Sequence, residues 1–217
     1  MSLLKILKKE KVKGPAIWIM RQAGRYLPEF RKLKKDSSGF MNMIYSPRIA
    51  SKITLQPIKR FRFDAAIIFS DILTIPDALG QKLTYQEGKG PKLEKTSLEE
   101  MITGFSKSFN TNKLKYVYEA IKLTKKKINK NVGLIGFVGA PLTVSFFMLD
   151  HERNKQYLKI LNNFKKNKTK AKRLFYILEK AIAKHAIGQI NAGAQIIQIF
   201  DTWATVAKGG ALEEYSI

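Results

Sequence analysis

The chain has 217 residues, of which 45% are hydrophobic, and this is enough to build a core in one domain or two small ones. It has no cysteine and only two histidines, which excludes disulfides and thiolate–zinc sites and argues against a histidine-rich metal centre. The formal net charge of +23 fits either a polyanion-binding protein or a surface rich in lysine. The lysine tracts have few interleaved aromatic residues, and zinc-finger, RRM and KH signatures are absent. We therefore expect no specific nucleic-acid binding.

Four short apolar runs are typical of strands that are buried on both faces of a parallel sheet. They span residues 16–20, 65–69, 132–138 and 194–200. Between them, Ser46 and Pro47 predict a helix start, residues 112–128 and 170–193 have helical spacing, and residues 80–91 are rich in turn formers. Gly193 lies where the last of these helices would stop. Strands that alternate with helices predict an α/β fold, either a barrel or an open doubly wound sheet.

Residues 132–149 form the most hydrophobic stretch, and its length approaches that of a membrane span. The stretch contains three glycines and a central Pro141, so a strand, a turn and a helix start explain it better. The basic N-terminus has no apolar segment or cleavage site typical of a secretory signal. We expect neither a membrane helix nor a membrane partner.

A polar or turn motif follows each predicted strand. In an α/β barrel, the carboxyl ends of the strands converge on one face, and that face carries the active site. The four motifs therefore predict a single pocket. They are Arg21–Arg25, Ser70–Asp71, Gly139–Pro141 and Asp201–Trp203.

Arginine and aspartate are the chemically informative residues of these motifs. Arg21 and Arg25 present planar donor forks that suit carboxylates, although an ordinary pair of surface salt bridges is an equal alternative. Asp71 fits a cap at a strand end, or a carboxylate that stabilises developing positive charge. His151 and His185 are interpreted as surface or packing residues rather than catalysts.

Four ordered segments resemble sequence blocks of the uroporphyrinogen decarboxylase family. They are PAIWIMRQAGRYLPEFR, LQPIKRFRFDAAIIFSDILTIPDALGQ, GFVGAPLTVSFFML and AGAQIIQIFDTWA. The resemblance covers residues 5–217. It implies a (β/α)8 TIM barrel that forms one domain over residues 1–217, that lacks its C-terminal strands in this chain, and that is a cytoplasmic homodimer when full length.

The resemblance also implies an activity. Family members are carboxy-lyases that convert the four acetate side chains of uroporphyrinogen III into methyl groups, giving coproporphyrinogen III for haem and other tetrapyrroles, without a cofactor or metal. Asp71 matches the residue that stabilises the pyrrole cation. The matching substrate-binding residues are Arg21, Gln22, Ala23, Gly24, Arg25, Asp71, Phe147 and Thr202.

The chain departs from the family pattern at several positions. Phe147 replaces the usual tyrosine, Leu142 the usual tryptophan and Thr202 the usual serine. The family's C-terminal histidine falls after Ile217, and neither histidine of this chain matches it. The alternative is therefore a truncated, non-catalytic fragment that binds porphyrinogens or polyanions. A zinc-dependent methyltransferase on the same scaffold is disfavoured, because cysteine is absent.

Overall fold

The computed structural model describes residues 3–37, 39–86, 90–150, 156–207 and 210–215. The helices are α1 (Leu3–Leu7), α2 (Pro28–Asp36), α3 (Phe40–Tyr45), α4 (Pro47–Phe61), α5 (Thr74–Leu79), α6 (Leu98–Ser108), α7 (Lys115–Lys125), α8 (Pro141–Leu149), α9 (Tyr157–Lys166), α10 (Lys168–Asn191) and α11 (Gly210–Tyr215). The strands are β1 (Ala65–Ile67), β2 (Leu83–Gln86), β3 (Gly90–Leu93), β4 (Gly133–Gly139) and β5 (Ile196–Phe200). Single turns of 3-10 helix span Thr111–Leu114 and Ala204–Val206.

The main sheet confirms the prediction of an α/β fold. Its strand order is β1-β4-β5, and β1 runs parallel to β4 with Ala65 opposite Gly133. Helices α5, α6, α7 and α8–α10 lie between these strands in the sequence, as parallel strands require. Three of the four predicted strands are therefore present, although β1 ends at Ile67.

The strand predicted at residues 16–20 is wrong, because this segment contains no regular secondary structure. The segment meets the rest of the chain through Asp64. The Ile17 N–H donates to Asp64 Oδ2 at 2.9 Å, and the Asp64 N–H donates to the Ile17 carbonyl at 2.9 Å. The Asp64 carboxylate thus accepts a backbone N–H that a neighbouring strand's carbonyl would accept in a sheet. Ile17, Ile19 and Met20 stay 54%, 50% and 52% exposed.

The helix boundaries follow the local sequence signals. Ser46 caps α4, because its hydroxyl accepts the Ile49 N–H at 3.4 Å and Pro47 fills the first helical position. Gly193 has a φ of +114° just after α10, which is the left-handed conformation that ends helices. Residues 132–149 form β4, a turn and α8, as predicted.

Residues 80–91 contain a hairpin rather than turns alone. Strands β2 and β3 pair antiparallel, with Leu83 opposite Leu93 and Gln86 opposite Gly90. Residues 87–89 of the predicted turn region lie outside the described part of the chain. The alternation of apolar and polar residues is too short in these four-residue strands to distinguish them from a loop.

The chain forms two compact units. The first comprises Met1–Asp71, Lys115–Phe137 and Ala186–Gln198, and the second comprises Ile72–Leu114, Val138–His185 and Ile199–Ile217. The prediction of one domain over residues 1–217 stays a prediction. Among the helices of the described residues, none is long and apolar enough to cross a membrane.

Each unit has its own buried side chains. In the first unit, α4 and α7 cover the sheet through a cluster that includes Ala50, Ala66, Ile121 and Leu134. A fully buried isoleucine or leucine contributes about 1.5–3 kcal/mol relative to an exposed one. In the second unit, the rings of Phe164, Phe175 and Tyr215 lie 5.1–5.9 Å apart between centroids and join α9, α10 and α11.

Two helical glycines predict opposite effects of an added methyl group. A Cβ on Gly188 would lie 2.5 Å from the ring of Tyr118, whereas one on Gly104 would meet no atom within 4 Å. We expect Gly188→Ala to lower the free energy of unfolding by about 1–2 kcal/mol through overpacking. Gly104→Ala should raise it by about 0.5–1 kcal/mol through helix propensity. Urea unfolding of both variants checks this, and equal shifts would contradict it.

The buried His185 predicts a dependence of stability on pH. His185 in α10 is 2% exposed, and burial lowers the pKa of its imidazole to about 4. The unfolded chain takes up a proton below pH about 6.5, whereas the folded chain does so only near pH 4, so stability is lost as the pH falls between these values.

This loss should amount to about 2–3 kcal/mol between pH 7.5 and pH 4.5. Urea unfolding at both pH values measures it in the wild type and in His185→Gln, which has no titrating imidazole. The variant should lose less stability over the same range. The same loss in both proteins would assign the effect to other groups.

Candidate active site

A tight loop in the first unit carries the two arginines. Arg21 and Arg25 are exposed, and the Leu27 N–H donates to the Gly24 carbonyl at 3.0 Å to close the turn. Leu27 is buried in a cluster with Phe30, Met43 and Ile53, which anchors the loop at its C-terminal end. Both guanidinium groups are therefore displayed on a fixed backbone.

Gln22 lies between the arginines and faces inward. Its side chain is 1% exposed. We assign the orientation of its amide from the surrounding donors and acceptors. In this orientation Nε2 donates to the carbonyls of Ile19 and Ala65, both at 3.3 Å, and Oε1 accepts the Ile67 N–H at 3.1 Å. The loop is thereby attached to β1.

Tyr26 and Arg31 hold the other side of the loop. The Tyr26 hydroxyl donates to the Gln22 carbonyl, and Arg31 Nη1 donates to the carbonyls of Arg25 and Tyr26 at 2.9 and 3.2 Å. Burial raises the pKa of the Tyr26 hydroxyl, and the Glu29 carboxylate raises it further, so this group remains a donor. Four backbone carbonyls of the loop, those of Gln22, Gly24, Arg25 and Tyr26, are thus satisfied within the unit.

Asp71 is partly buried and follows β1 by four residues. The chain that leads to it is fixed by Thr54 of α4. The buried Thr54 hydroxyl donates to the Ala50 carbonyl at 2.8 Å and accepts the Phe69 N–H at 2.9 Å. The structure therefore places Asp71 and the arginine loop in the same unit, and both are attached to β1.

Phe147 and Thr202 belong to the second unit. Thr143 and Phe147 lie one turn apart in α8, and Thr143 Oγ1 donates to Asp201 Oδ1 at 2.6 Å. Thr143 Oγ1 also accepts the Trp203 N–H, at 3.1 Å. Thr202 is exposed between these two bonded residues, so its backbone is held on both sides.

The turn between β4 and α8 depends on a close approach at Gly139. A Cβ there would lie 2.7 Å from Val144 Cγ2 and 3.1 Å from Ile72 Cβ. The Ala140 N–H then donates to the Phe200 carbonyl at 2.9 Å, at the end of β5. Gly139–Pro141 therefore shapes the backbone around Thr143 rather than offering side chains to a ligand.

The sequence did not identify Thr54, Thr143, Asp64 and Arg31 as supports of the site. The sequence did contain one signal for the two threonines. Each places a hydroxyl on a helix face where its apolar neighbours are buried. No such pattern marks Asp64, whose partner Ile17 lies 47 residues away, or Arg31, whose partners lie five and six residues before it in an irregular loop. The eight predicted site residues fall into two groups, six in the first unit and Phe147 and Thr202 in the second.

The structure describes one of the two histidines. His185 is buried within α10, and His151 lies outside the described residues. Across the residues that the structure describes, three or more His, Cys, Asp or Glu side chains nowhere form a group that could hold a metal ion.

Replacing Thr143 tests the support of Thr202. Thr143→Val keeps the shape but removes the hydrogen bonds to Asp201 and Trp203, so the free energy of unfolding should fall by about 1–3 kcal/mol. Thr143→Ser keeps the hydroxyl and serves as the control. Urea unfolding measures both variants. Equal stability of the two would show that the hydroxyl carries no weight.

Comparison with known proteins places the chain in a family. The family described as "Uroporphyrinogen decarboxylase (URO-D)" matches residues 1–217. The uroporphyrinogen decarboxylase of Thioalkalivibrio sulfidiphilus is 38% identical over 99% of this chain and 62% of its own length, and that of Ruthia magnifica is 39% identical over 98% of this chain and 61% of its own. The chain thus spans about three fifths of these curated relatives.

The fold has a counterpart among solved structures. A methyltransferase from Methanosarcina mazei superposes with a TM-score of 0.68 and 20% identity, covering 93% of this chain and 58% of that one. This likeness concerns the fold alone. The match over the full chain and the identity to the relatives carry the assignment: the chain belongs to the uroporphyrinogen decarboxylase family.

Proposed function

We propose that this chain contributes to the decarboxylation of the four acetate side chains of uroporphyrinogen III, which gives coproporphyrinogen III in tetrapyrrole synthesis. One observation carries the proposal. Two exposed arginines stand on a loop that is tied, through buried hydrogen bonds, to the strand that leads to Asp71. This joins groups that bind carboxylates to a carboxylate that can stabilise a cation.

The proposed architecture is a (β/α)8 barrel, and we propose that the protein works as a cytoplasmic homodimer. The parallel pairing of β1 and β4 and the helices that separate the strands in the sequence support this architecture. The fold likeness to the methyltransferase supports an α/β arrangement over most of the chain.

Arg21 and Arg25 are the proposed binding groups for the substrate carboxylates. Uroporphyrinogen carries eight carboxylates, so a protein with a net charge of +23 attracts it over a distance. At contact, a guanidinium offers two parallel donors to each carboxylate. Because the loop is held by Gln22, Tyr26 and Arg31, little backbone entropy is lost when the substrate binds.

The chemistry requires an electron sink. Protonation of a pyrrole ring carbon creates a cationic, iminium-like ring, and the electrons of the breaking C–C bond flow into it as CO2 leaves. Protonation of the resulting methylene and loss of the ring proton then give the methyl group and restore the pyrrole. Asp71 is proposed to accept hydrogen bonds from the pyrrole N–H groups and to stabilise the cation electrostatically. An arginine is a poor proton donor, so Arg21 and Arg25 keep a binding role.

Phe147 and Thr202 remain predicted substrate-binding residues. Phe147 is partly buried and has no hydroxyl, so it can offer only its ring to the substrate. Thr202 is exposed, and its hydroxyl can donate or accept a hydrogen bond at the end of β5.

The alternative is a non-catalytic fragment that binds porphyrinogens or other polyanions. The net charge of +23 favours it, because such a charge attracts any polyanion whether or not turnover follows. Both proposals predict that Arg21 and Arg25 matter for binding, but only the first predicts turnover.

Three substitutions test the proposed roles. Arg21→Ala and Arg25→Ala should each lower kcat/KM by about 10–100-fold, since a hydrogen bond to a charged group contributes about 1.5–3 kcal/mol. Asp71→Asn should lower kcat by about 100–1,000-fold, since it removes the charge that faces the cation. Coproporphyrinogen formation is measured after oxidation to the fluorescent porphyrin, and binding is measured with uroporphyrin.

Arg173→Ala is the matched control, because it removes one exposed positive charge from α10. It should leave kcat/KM close to that of the wild type. Uroporphyrin binding that depends on Arg21 and Arg25 without any turnover would establish the binding fragment instead. Activity that survives in Asp71→Asn would refute the role of this carboxylate.

A further inference from the structure

The edge of β1 that faces away from β4 has backbone groups in need of partners. On the inner side, the Gly133 N–H donates to the Asp64 carbonyl and the Ile68 N–H donates to the Ile135 carbonyl, both at 2.9 Å. Backbone groups of successive strand residues point alternately to the two edges of a strand. The carbonyl of Ala65 and the N–H of Ile67 therefore point away from β4, to the side on which the strand order ends.

These two groups are the ones that Gln22 binds. Its amide accepts from the Ile67 N–H at 3.1 Å and donates to the Ala65 carbonyl at 3.3 Å, as a neighbouring strand would do with a peptide group. The second proton of the amide goes to the Ile19 carbonyl, which belongs to the segment leading into the loop. Both amide protons are thus used, and the side chain is buried.

A buried side chain with both protons engaged is poorly placed to contact a substrate. It is well placed to fix the residues beside it, because it ties Cα of residue 22 to a strand of the sheet. The two neighbouring anchors, the Tyr26 hydroxyl and the Arg31 guanidinium, act only within the segment from Gln22 to Arg31. Gln22 therefore links the loop directly to β1.

We propose that Gln22 is a positioning residue, whose amide replaces a strand partner on β1 and thereby sets Arg21 and Arg25 in register with the segment that ends in Asp71. The consequence of this role for catalysis rests on the proposed function. The hydrogen bonds between the Gln22 amide and β1, called the clamp below, do not rest on it. A displacement of the loop along β1 would move both guanidinium groups while leaving their charge unchanged. Loss of the clamp should therefore raise the Kd for a polycarboxylate such as uroporphyrin while the protein still folds.

The chain provides a matched control for this proposal. Gln189 is also fully buried, and its amide also clamps a strand: Oε1 accepts the Phe137 N–H at 2.9 Å, and Nε2 donates to the Phe137 carbonyl at 2.8 Å. Gln189 belongs to the same unit but touches no residue of the arginine loop through this amide. Gln22→Met and Gln189→Met each remove one amide clamp and keep the side-chain length.

Two measurements separate the clamp from its effect. Hydrogen exchange of the Ile67 and Phe137 amides reports each clamp in the intact protein, without reference to activity. Titration with uroporphyrin reports the placement of the arginines. In Gln22→Met we expect exchange at Ile67 to rise by about tenfold or more, and the Kd for uroporphyrin to rise by about tenfold. Gln189→Met should raise exchange at Phe137 and leave the Kd within about twofold.

Three other outcomes would each contradict one part of the proposal. An Ile67 amide that exchanges at the rate of an open chain in the wild type would overturn the clamp, and this test does not depend on whether a variant folds. Loss of Ile67 protection in Gln22→Met with an unchanged Kd would overturn the positioning role. A wild-type protein that binds no uroporphyrin would refute the proposed function and its catalytic consequence, while exchange at Ile67 would still decide the clamp.

Discussion

The edge of β1 that faces away from β4 is the constraint on which the first unit depends. Its backbone donors and acceptors need partners, and residues 16–22 supply them without forming a strand. The Ile17 carbonyl accepts the Asp64 N–H just before β1, and the amide of Gln22 binds the Ala65 carbonyl and the Ile67 N–H. In return, the Asp64 carboxylate accepts the Ile17 N–H. A backbone strand would have continued past the edge in a fixed direction. Side-chain partners instead let the chain turn away after Gln22, and this turn is what displays Arg21 and Arg25.

Three of the predicted functional side chains have the same kind of support. Those of Arg21, Arg25 and Thr202 are exposed, and buried polar groups of other residues hold the backbone beneath them. A buried amide or hydroxyl that makes all its hydrogen bonds tolerates little displacement, because each broken bond leaves an unsatisfied group in a low dielectric. Thr54 and Thr143 apply the same principle from helices α4 and α8. Binding groups on such supports need little reorganisation when a ligand arrives.

The sequence predicts the parts of this arrangement that depend on local pattern. Continuous apolar runs indicate β4 and β5, the Ser46–Pro47 pair indicates the start of α4, and Gly193 indicates the end of α10. The strand expected at residues 16–20 fails because an apolar run shows that a segment is extended, not what its backbone binds. The clamps by Gln22 and Asp64 join residues more than 40 positions apart, and no short-range periodicity reports such pairs. Family resemblance names the site residues but leaves the amide of Gln22 indistinguishable from a ligand contact.

The two sources of positive charge in this chain act over different distances. Exposed lysines such as Lys165 and Lys166 of α9 contribute to a general field, which salt screens beyond about 8 Å at physiological ionic strength. That field raises the rate at which any polyanion arrives, and it does not distinguish a porphyrinogen from a nucleic acid. In the proposed function, Arg21 and Arg25 act at contact, where the planar donor forks of their guanidinium groups match carboxylates. If the proposed function and the proposed role of Gln22 hold, discrimination between polyanions resides in the geometry of this loop, and the excess of lysine governs only how often a candidate ligand is met.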